Sequence, residues 1–268
     1  MADTAPPALA ATRSFRLGRF GREILAMSAL FAVYKFGRLL RPGDVTVAYQ
    51  NATRVWDFER WAHLPNELAE QRALLSGHGV IQLANTYYAV VHFPATIAFL
   101  VWMYLRRPGF YPVVRRAMIL TTGLALMIHL AFPLAPPRML SGLGFVDTAA
   151  RYGPNVYGAD PEHGTLINQY AAMPSLHVGW AMLVAAGLIA ATSSKWRWLW
   201  LLHPVMTAIA VTGTANHYWL DSLAACVLLL VVCLVPVRAA AAPVAAERAS
   251  GAVVAALLRT RRRGSTAG

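Results

Sequence analysis

The sequence predicts an all-α membrane protein, a bundle of six transmembrane helices with amphipathic helices in an outer loop. Three observations carry that expectation. Six apolar stretches approach the roughly 20 residues needed to cross about 30 Å of hydrocarbon. Only 13% of the 268 residues are charged and 57% are hydrophobic, with a mean hydropathy of +0.46; soluble domains carry about 25% charge. Lys and Arg crowd into alternate connections between the apolar stretches.

In chain order, residues 1–12 carry little structural signal. Residues 13–22 place Arg13, Arg16, Arg19 and Arg22 around Phe15, Leu17 and Phe20, the pattern of a short helix lying on a membrane surface. The first apolar stretch covers residues 24–40; Lys35 and Arg38 lie near its end, where long side chains reach the headgroups. In the loop 41–79, Val55, Phe58, Trp61 and Ala62 recur at helical spacing, predicting an interfacial helix beside the mouth of a site. The second and third stretches cover 81–105 and 113–134. The loop 142–170 is rich in Gly, Pro and Asn and reads as irregular. The last three stretches cover 174–192, 196–214 and 218–237, and an Ala/Arg-rich tail comes after them. The organisation is thus an arm (1–23), one membrane domain (24–238) and a basic tail (239–268).

The formal net charge of +12 raises the question of nucleic acid, and its distribution answers it. With six spans, the arm, Arg106–Arg107–Arg115–Arg116, Lys195–Arg197 and the tail all fall on one side. The two long loops fall on the other and are balanced or mildly acidic. Such asymmetry sets topology: both termini are cytoplasmic, in the cell membrane, and the long loops are outside. The basic charge then faces anionic membrane lipids, and a nucleic-acid role is excluded. No small-residue cleavage site comes after the first stretch, which reads as a retained anchor. Cys226 and Cys233 are seven residues apart on one helix, roughly 10 Å, too far for a disulfide.

Two short segments carry chemistry. Met173-Pro174-Ser175-Leu176-His177 opens the fourth stretch, with Pro174 suited to a first helical turn. Unpaired N–H groups at a helix start favour an anion such as phosphate; Ser175 adds a hydroxyl and His177 a proton carrier. Asn216-His217-Tyr218-Trp219-Leu220-Asp221 opens the sixth stretch. His217 and Asp221, four apart, share a helical face, so the carboxylate can orient the imidazole. The fourth stretch descends about 24 Å and the fifth returns over a similar length, which brings His177 and His217 to one depth. Two His and one Asp also suit a metal or an ion path, or plain helix packing. His92, His129 and His203 read as helix–helix hydrogen bonders.

Pro-Ser-Leu-His (174–177) and His-x-x-x-Asp (217–221), around a hairpin of apolar stretches, resemble the type 2 phosphatidic acid phosphatase superfamily. Leu176 and the segment Phe132-Pro133-Leu134-Ala135-Pro136-Pro137 are more similar to its inositol phosphorylceramide synthase branch. The resemblance implies a lipid phosphatase or phosphotransferase, with phosphoinositol as one group it would transfer. It implies a lipid phosphate substrate, a site facing the extracytoplasmic side, and neither metal nor cofactor. It makes His217 the nucleophile, Asp221 its orienting acid, His177 the general acid and Ser175 a phosphate contact. The family's Ser-Arg falls on Ala210 and Val211, so Arg138 becomes the phosphate-binding cation, with Asn216, Thr212 or Thr214 as further donors. Lys35 and Arg41-Pro42 look like a shortened first motif ahead of the wrong span and are read as coincidence. The reading from a different class is a transporter or proton-relay channel built on the same His and Asp residues.

Overall fold

The computed structural model describes residues 7–40, 45–154 and 169–234. The tail 239–268, the Arg41–Pro42 pair, the stretch 155–168 and the side chains of Arg13, Arg16 and Arg19 lie outside the described residues. The chain falls into two compact units, Met1–Val232 and Cys233–Gly268; the elements that build the site belong to the first.

All of the named elements are helical. Helix α1 spans Pro7–Leu40. It runs unbroken, rather than as a surface helix and then a span, because no proline interrupts residues 8–41. Helices α2 (Val45–Trp61) and α3 (Glu67–Leu75) lie within the loop 41–79. The face of α2 that packs is Ala48, Asn51, Ala52, Val55 and Glu59, at helical spacing, while Phe58 and Trp61 are exposed. Asn66 caps α3 by accepting from Leu68 and Ala69 N–H.

Helix α4 (His78–Thr86) passes through a π-turn (Tyr87–Val91) into α5 (His92–Arg106). Pro94 explains the π-turn, since it has no N–H to give residue 90. Helix α6 covers Tyr111–Ala131 and ends before Pro133. A laced segment comes next, with the short helix α7 (Thr148–Tyr152) capped by Asp147; the loop read as irregular is partly helical for that reason. Helix α8 covers Leu176–Ala191, α9 Leu202–Gly213 and α10 Trp219–Leu234, with a 3-10 stretch, Lys195–Leu201, leading into α9.

The described part of each of the six apolar stretches is therefore mainly helical. Among the described residues, two helices have the length and apolarity to cross a membrane: Gly79–Arg106, 28 residues, and Tyr111–Ala131, 21 residues. Leu176–Ala191 and Trp219–Leu234 are apolar but shorter. Phe99 and Met103 of α5, Val114 and Met118 of α6, Leu183 and Val184 of α8, and Leu229 and Val232 of α10 form one buried cluster. Gly187 lets α8 approach α5: a Cβ there would stand 2.5 Å from the Phe99 ring. Glu23 of α1 accepts from the Tyr111 hydroxyl and Arg115, fixing α1 to α6. Cys226 and Cys233 are free thiols.

Candidate active site

The two sequence segments meet at one end of the α5–α6–α8–α10 cluster. Ser175, not Pro174, opens α8: its side chain accepts from Val178 N–H, and Pro174 lies ahead of the helix. The proline expected in the first turn thus precedes it, because Ser is the better N-cap. The Ser175 backbone N–H donates to the Asp221 carbonyl (3.0 Å), tying α8 to α10.

His177 stands one residue inside α8. Its ring centroid lies 5.7 Å from that of His217. The turn after α9 brings His217 there. Ala215 adopts φ +56°, the left-handed conformation that ends many helices. The N–H groups of Asn216 and His217 both donate to the Val211 carbonyl. His217 Nδ1 lies 2.9 Å from the Ala172 carbonyl and 3.2 Å from Asp221 Oδ2. A backbone carbonyl only accepts, so Nδ1 carries the hydrogen and Nε2 the lone pair in the neutral ring. Asp221, fully buried, also accepts from Tyr218 N–H (2.9 Å). Ala172 is held by its exchange with the Phe132–Arg138 segment: Leu134 N–H donates to the Tyr170 carbonyl and Ala172 N–H to the Leu134 carbonyl.

Arg138 is buried, with 5% of its surface exposed. Its Nη1 donates to Asn216 Oδ1 and its Nη2 to Gln169 Oε1, each at 2.8 Å, and Asp147 lies 3.4 Å from Nε. The backbone N–H of Arg138 donates to the Ala215 carbonyl. Asn216 therefore works on the guanidinium and, through its own amide, on Thr214 (2.8 Å). Thr212 donates within α9 and to Glu70, and Thr214 to the Ala210 carbonyl, so neither hydroxyl proton is offered to a substrate. Where the resemblance calls for Ser-Arg, Ala210 and Val211 are buried core.

Several contributors had no signal in the sequence. Gln169 comes from an irregular stretch. Glu59 of α2 and Glu67 of α3 accept from the N–H groups of Leu220 (2.6 Å) and Trp219 (3.0 Å). Glu70 accepts from the Trp219 indole (2.8 Å). His203 bonds the Tyr87 hydroxyl between helical segments, as expected, whereas His129 bonds the Pro174 carbonyl, ahead of α8. His92 departs from the expectation: neither of its ring nitrogens has a partner. Among the described residues, no group of three or more His, Cys, Asp or Glu is placed to hold a metal ion.

Fold and site together define a class: a helical protein with two histidines and a buried aspartate gathered at one end of a helix cluster. More narrowly, the chain belongs to the PAP2 superfamily, whose family model matches residues 53–235, more than half of its length. It is also similar to the inositol phosphorylceramide synthase catalytic subunit aur1 of Schizosaccharomyces pombe, at 26% identity over 175 residues. That match covers 59% of this chain and 40% of the relative, so the chain spans well under half the length of that protein. No solved structure matches the chain.

Proposed function

We propose that the chain is an integral membrane lipid phosphatase or phosphotransferase that works through a phosphohistidine at His217. The observation that carries this reading is the 5.7 Å separation of the His177 and His217 rings, with His217 Nδ1 bound to Asp221 and Ala172. That spacing lets both rings reach one phosphoryl group. His217 Nε2 attacks phosphorus, an N–P bond forms, and the P–O bond to the leaving group breaks. The leaving oxygen takes its proton from His177. Asp221 stabilises the positive imidazole of the phosphoenzyme. An acceptor O–H then gives its proton to His177 and its oxygen attacks phosphorus, and the N–P electron pair returns to His217. No metal or cofactor enters these steps.

Arg138, fixed by Asn216 and Gln169, presents charge to the phosphate oxygens. Ser175 and the start of α8 supply further donors. An apolar groove of about 580 Å³, lined by Phe31, Tyr34, Phe93, Ile97 and Tyr104 among others, supports a lipid tail; the Phe93 ring lies 6.0 Å from that of His177. The family, together with the alternating basic connections, supports six spans within residues 24–238, cytoplasmic termini and a site on the outer side of the cell membrane. The relative's name favours a hydroxyl acceptor and phosphoinositol as the transferred group, with water as the other acceptor.

The test uses purified full-length protein, ³²P-labelled phosphatidic acid and ³²P-labelled phosphatidylinositol. Acid-labile, base-stable label on the wild type, absent from His217→Ala, is expected. Its release into water or onto an added lipid hydroxyl assigns the acceptor. Equal labelling of His217→Ala would overturn the nucleophile.

A further inference from the structure

A third imidazole stands behind the pair. His92 is 1% exposed, and neither ring nitrogen has a hydrogen-bond partner. Leaving a buried polar group unpaired is unfavourable, a cost that an apolar side chain of similar size would avoid. The His92 ring lies 4.9 Å from that of His177 and 6.2 Å from that of His203, and it stacks on Trp180 at 6.0 Å. His217, His177, His92 and His203 therefore form a file of imidazoles, and His203 Nδ1 lies 2.7 Å from the Tyr87 hydroxyl.

The backbone is shaped for this placement. The π-turn Tyr87–Val91 ends immediately before His92. One extra residue in a helical turn rotates the rest of the helix by about 100°, and π-turns recur at functional positions. The same turn carries Tyr88, whose ring lies 4.5 Å from that of His177.

We propose that His92 is a positioning residue for His177, accepting the N–H of the protonated His177 ring that points away from the substrate. The proposal rests on His177 being the proton donor. A histidine acting as an acid carries hydrogen on both nitrogens. One N–H serves the leaving oxygen, and the other is best held by a neutral acceptor. A ring spacing of 4.9 Å leaves a hydrogen-bond length between facing nitrogens once the rings turn edge to edge. The titratable groups around this contact are His177 on α8, with Tyr88 beside it and His217–Asp221 beyond, and His203 on α9 with the Tyr87 hydroxyl. Two positive rings at this distance repel, so the proton stays on His177 and His92 remains the acceptor.

The experiment compares the pH dependence of kcat/KM on phosphatidic acid in wild type, His92→Phe and His92→Gln, alongside phosphohistidine formation. Phe keeps the ring stack and removes the acceptor; Gln keeps an acceptor that does not titrate. In His92→Phe the alkaline limb is expected to move to lower pH by about one unit, with kcat near neutrality down about tenfold and KM little changed. His92→Gln is expected to restore both. His92→Met serves where the Phe variant does not fold, with the same expectation as Phe. An unchanged limb and kcat in the acceptor-free variant, with phosphohistidine still forming, overturns the role of His92 alone. Absence of phosphohistidine in the wild type overturns the mechanism on which it rests.

Discussion

The carboxyl of Glu59 accepts a 2.6 Å hydrogen bond from the Leu220 backbone N–H, so helix α2 closes the start of the helix that carries Asp221. Glu67 accepts from Trp219 N–H and Asp221 itself from Tyr218 N–H. Three consecutive N–H groups at the start of α10, which have no partner inside the helix, are thus each met by a carboxyl oxygen. The position of Asp221 beside His217 depends on this cap.

That cap makes stability depend on pH. Burial, and after it the hydrogen bond and charge of Glu67, pushes the Glu59 carboxyl from 4.5 up to about 9. The folded protein therefore holds a proton that the unfolded chain releases near pH 4.5. The contribution of Glu59 is complete below that pH and is lost progressively as pH rises toward 9, by at most about 1.4 kcal/mol per unit. Thermal unfolding of the detergent-solubilised protein should show falling stability from pH 5 to 9. Glu59→Gln, which mimics the protonated group, should flatten that slope. An identical slope in the variant would remove Glu59 as its source.

The site's two short segments are legible in the sequence because their chemistry is local: His217 and Asp221 are one helical turn apart, and Ser175 and His177 flank one helix start. Glu59, Glu67 and Gln169 are not legible, because their partners lie elsewhere in the chain; Glu59 meets Leu220 across 161 positions. In the loop 41–79 acids slightly outnumber bases, and nothing local separates the carboxyls that turn inward from those that face water. Arg138 is legible as a candidate phosphate-binding cation, but its burial against Asn216, 78 positions away, is not. Pro94 is a local mark of the π-turn, but a proline near the start of a long apolar stretch does not say which way the next side chain will face.

Asp221→Asn should reduce turnover without abolishing it. In triads where the carboxylate alone sets the tautomer, its amide variant costs about 10⁴-fold. In this site the Ala172 carbonyl also holds Nδ1–H, at 2.9 Å. The tautomer survives, and under the proposed mechanism the loss is confined to stabilisation of the positive phosphohistidine. A fall of about 10²-fold in kcat, with KM nearly constant, is the expected result. A loss as deep as that of His217→Ala would mean that Asp221 alone fixes the ring.

Arg138→Lys is not conservative in this setting. The guanidinium spans Asn216 and Gln169 at 2.8 Å each, a fork that a single ammonium does not reproduce. One of the two buried amide oxygens loses its donor, at about 1–3 kcal/mol of stability. The inhibition constant of inorganic phosphate as a competing product should rise by about tenfold or more. Stability that falls while phosphate inhibition stays constant would assign Arg138 to the scaffold alone.

The apolar groove gives a prediction that separates tail binding from chemistry. Ile97 lines it on α5, and the site end is marked by Phe93, beside the His177 ring. Ile97→Trp narrows the groove without touching an imidazole, Arg138 or Asn216. Ile97 is 60% exposed, so the larger ring is accommodated without overpacking the core. If a substrate tail lies in the groove, KM for a long-chain phosphatidic acid rises several-fold. A short, water-soluble phosphate ester, which places nothing there, keeps its kcat/KM. Each buried methylene contributes about 0.8 kcal/mol, so the wild type should favour longer tails steeply and the variant should lose that gradient. Equal KM values for long tails in both proteins would place the hydrocarbon elsewhere, with the phosphoryl site unaffected.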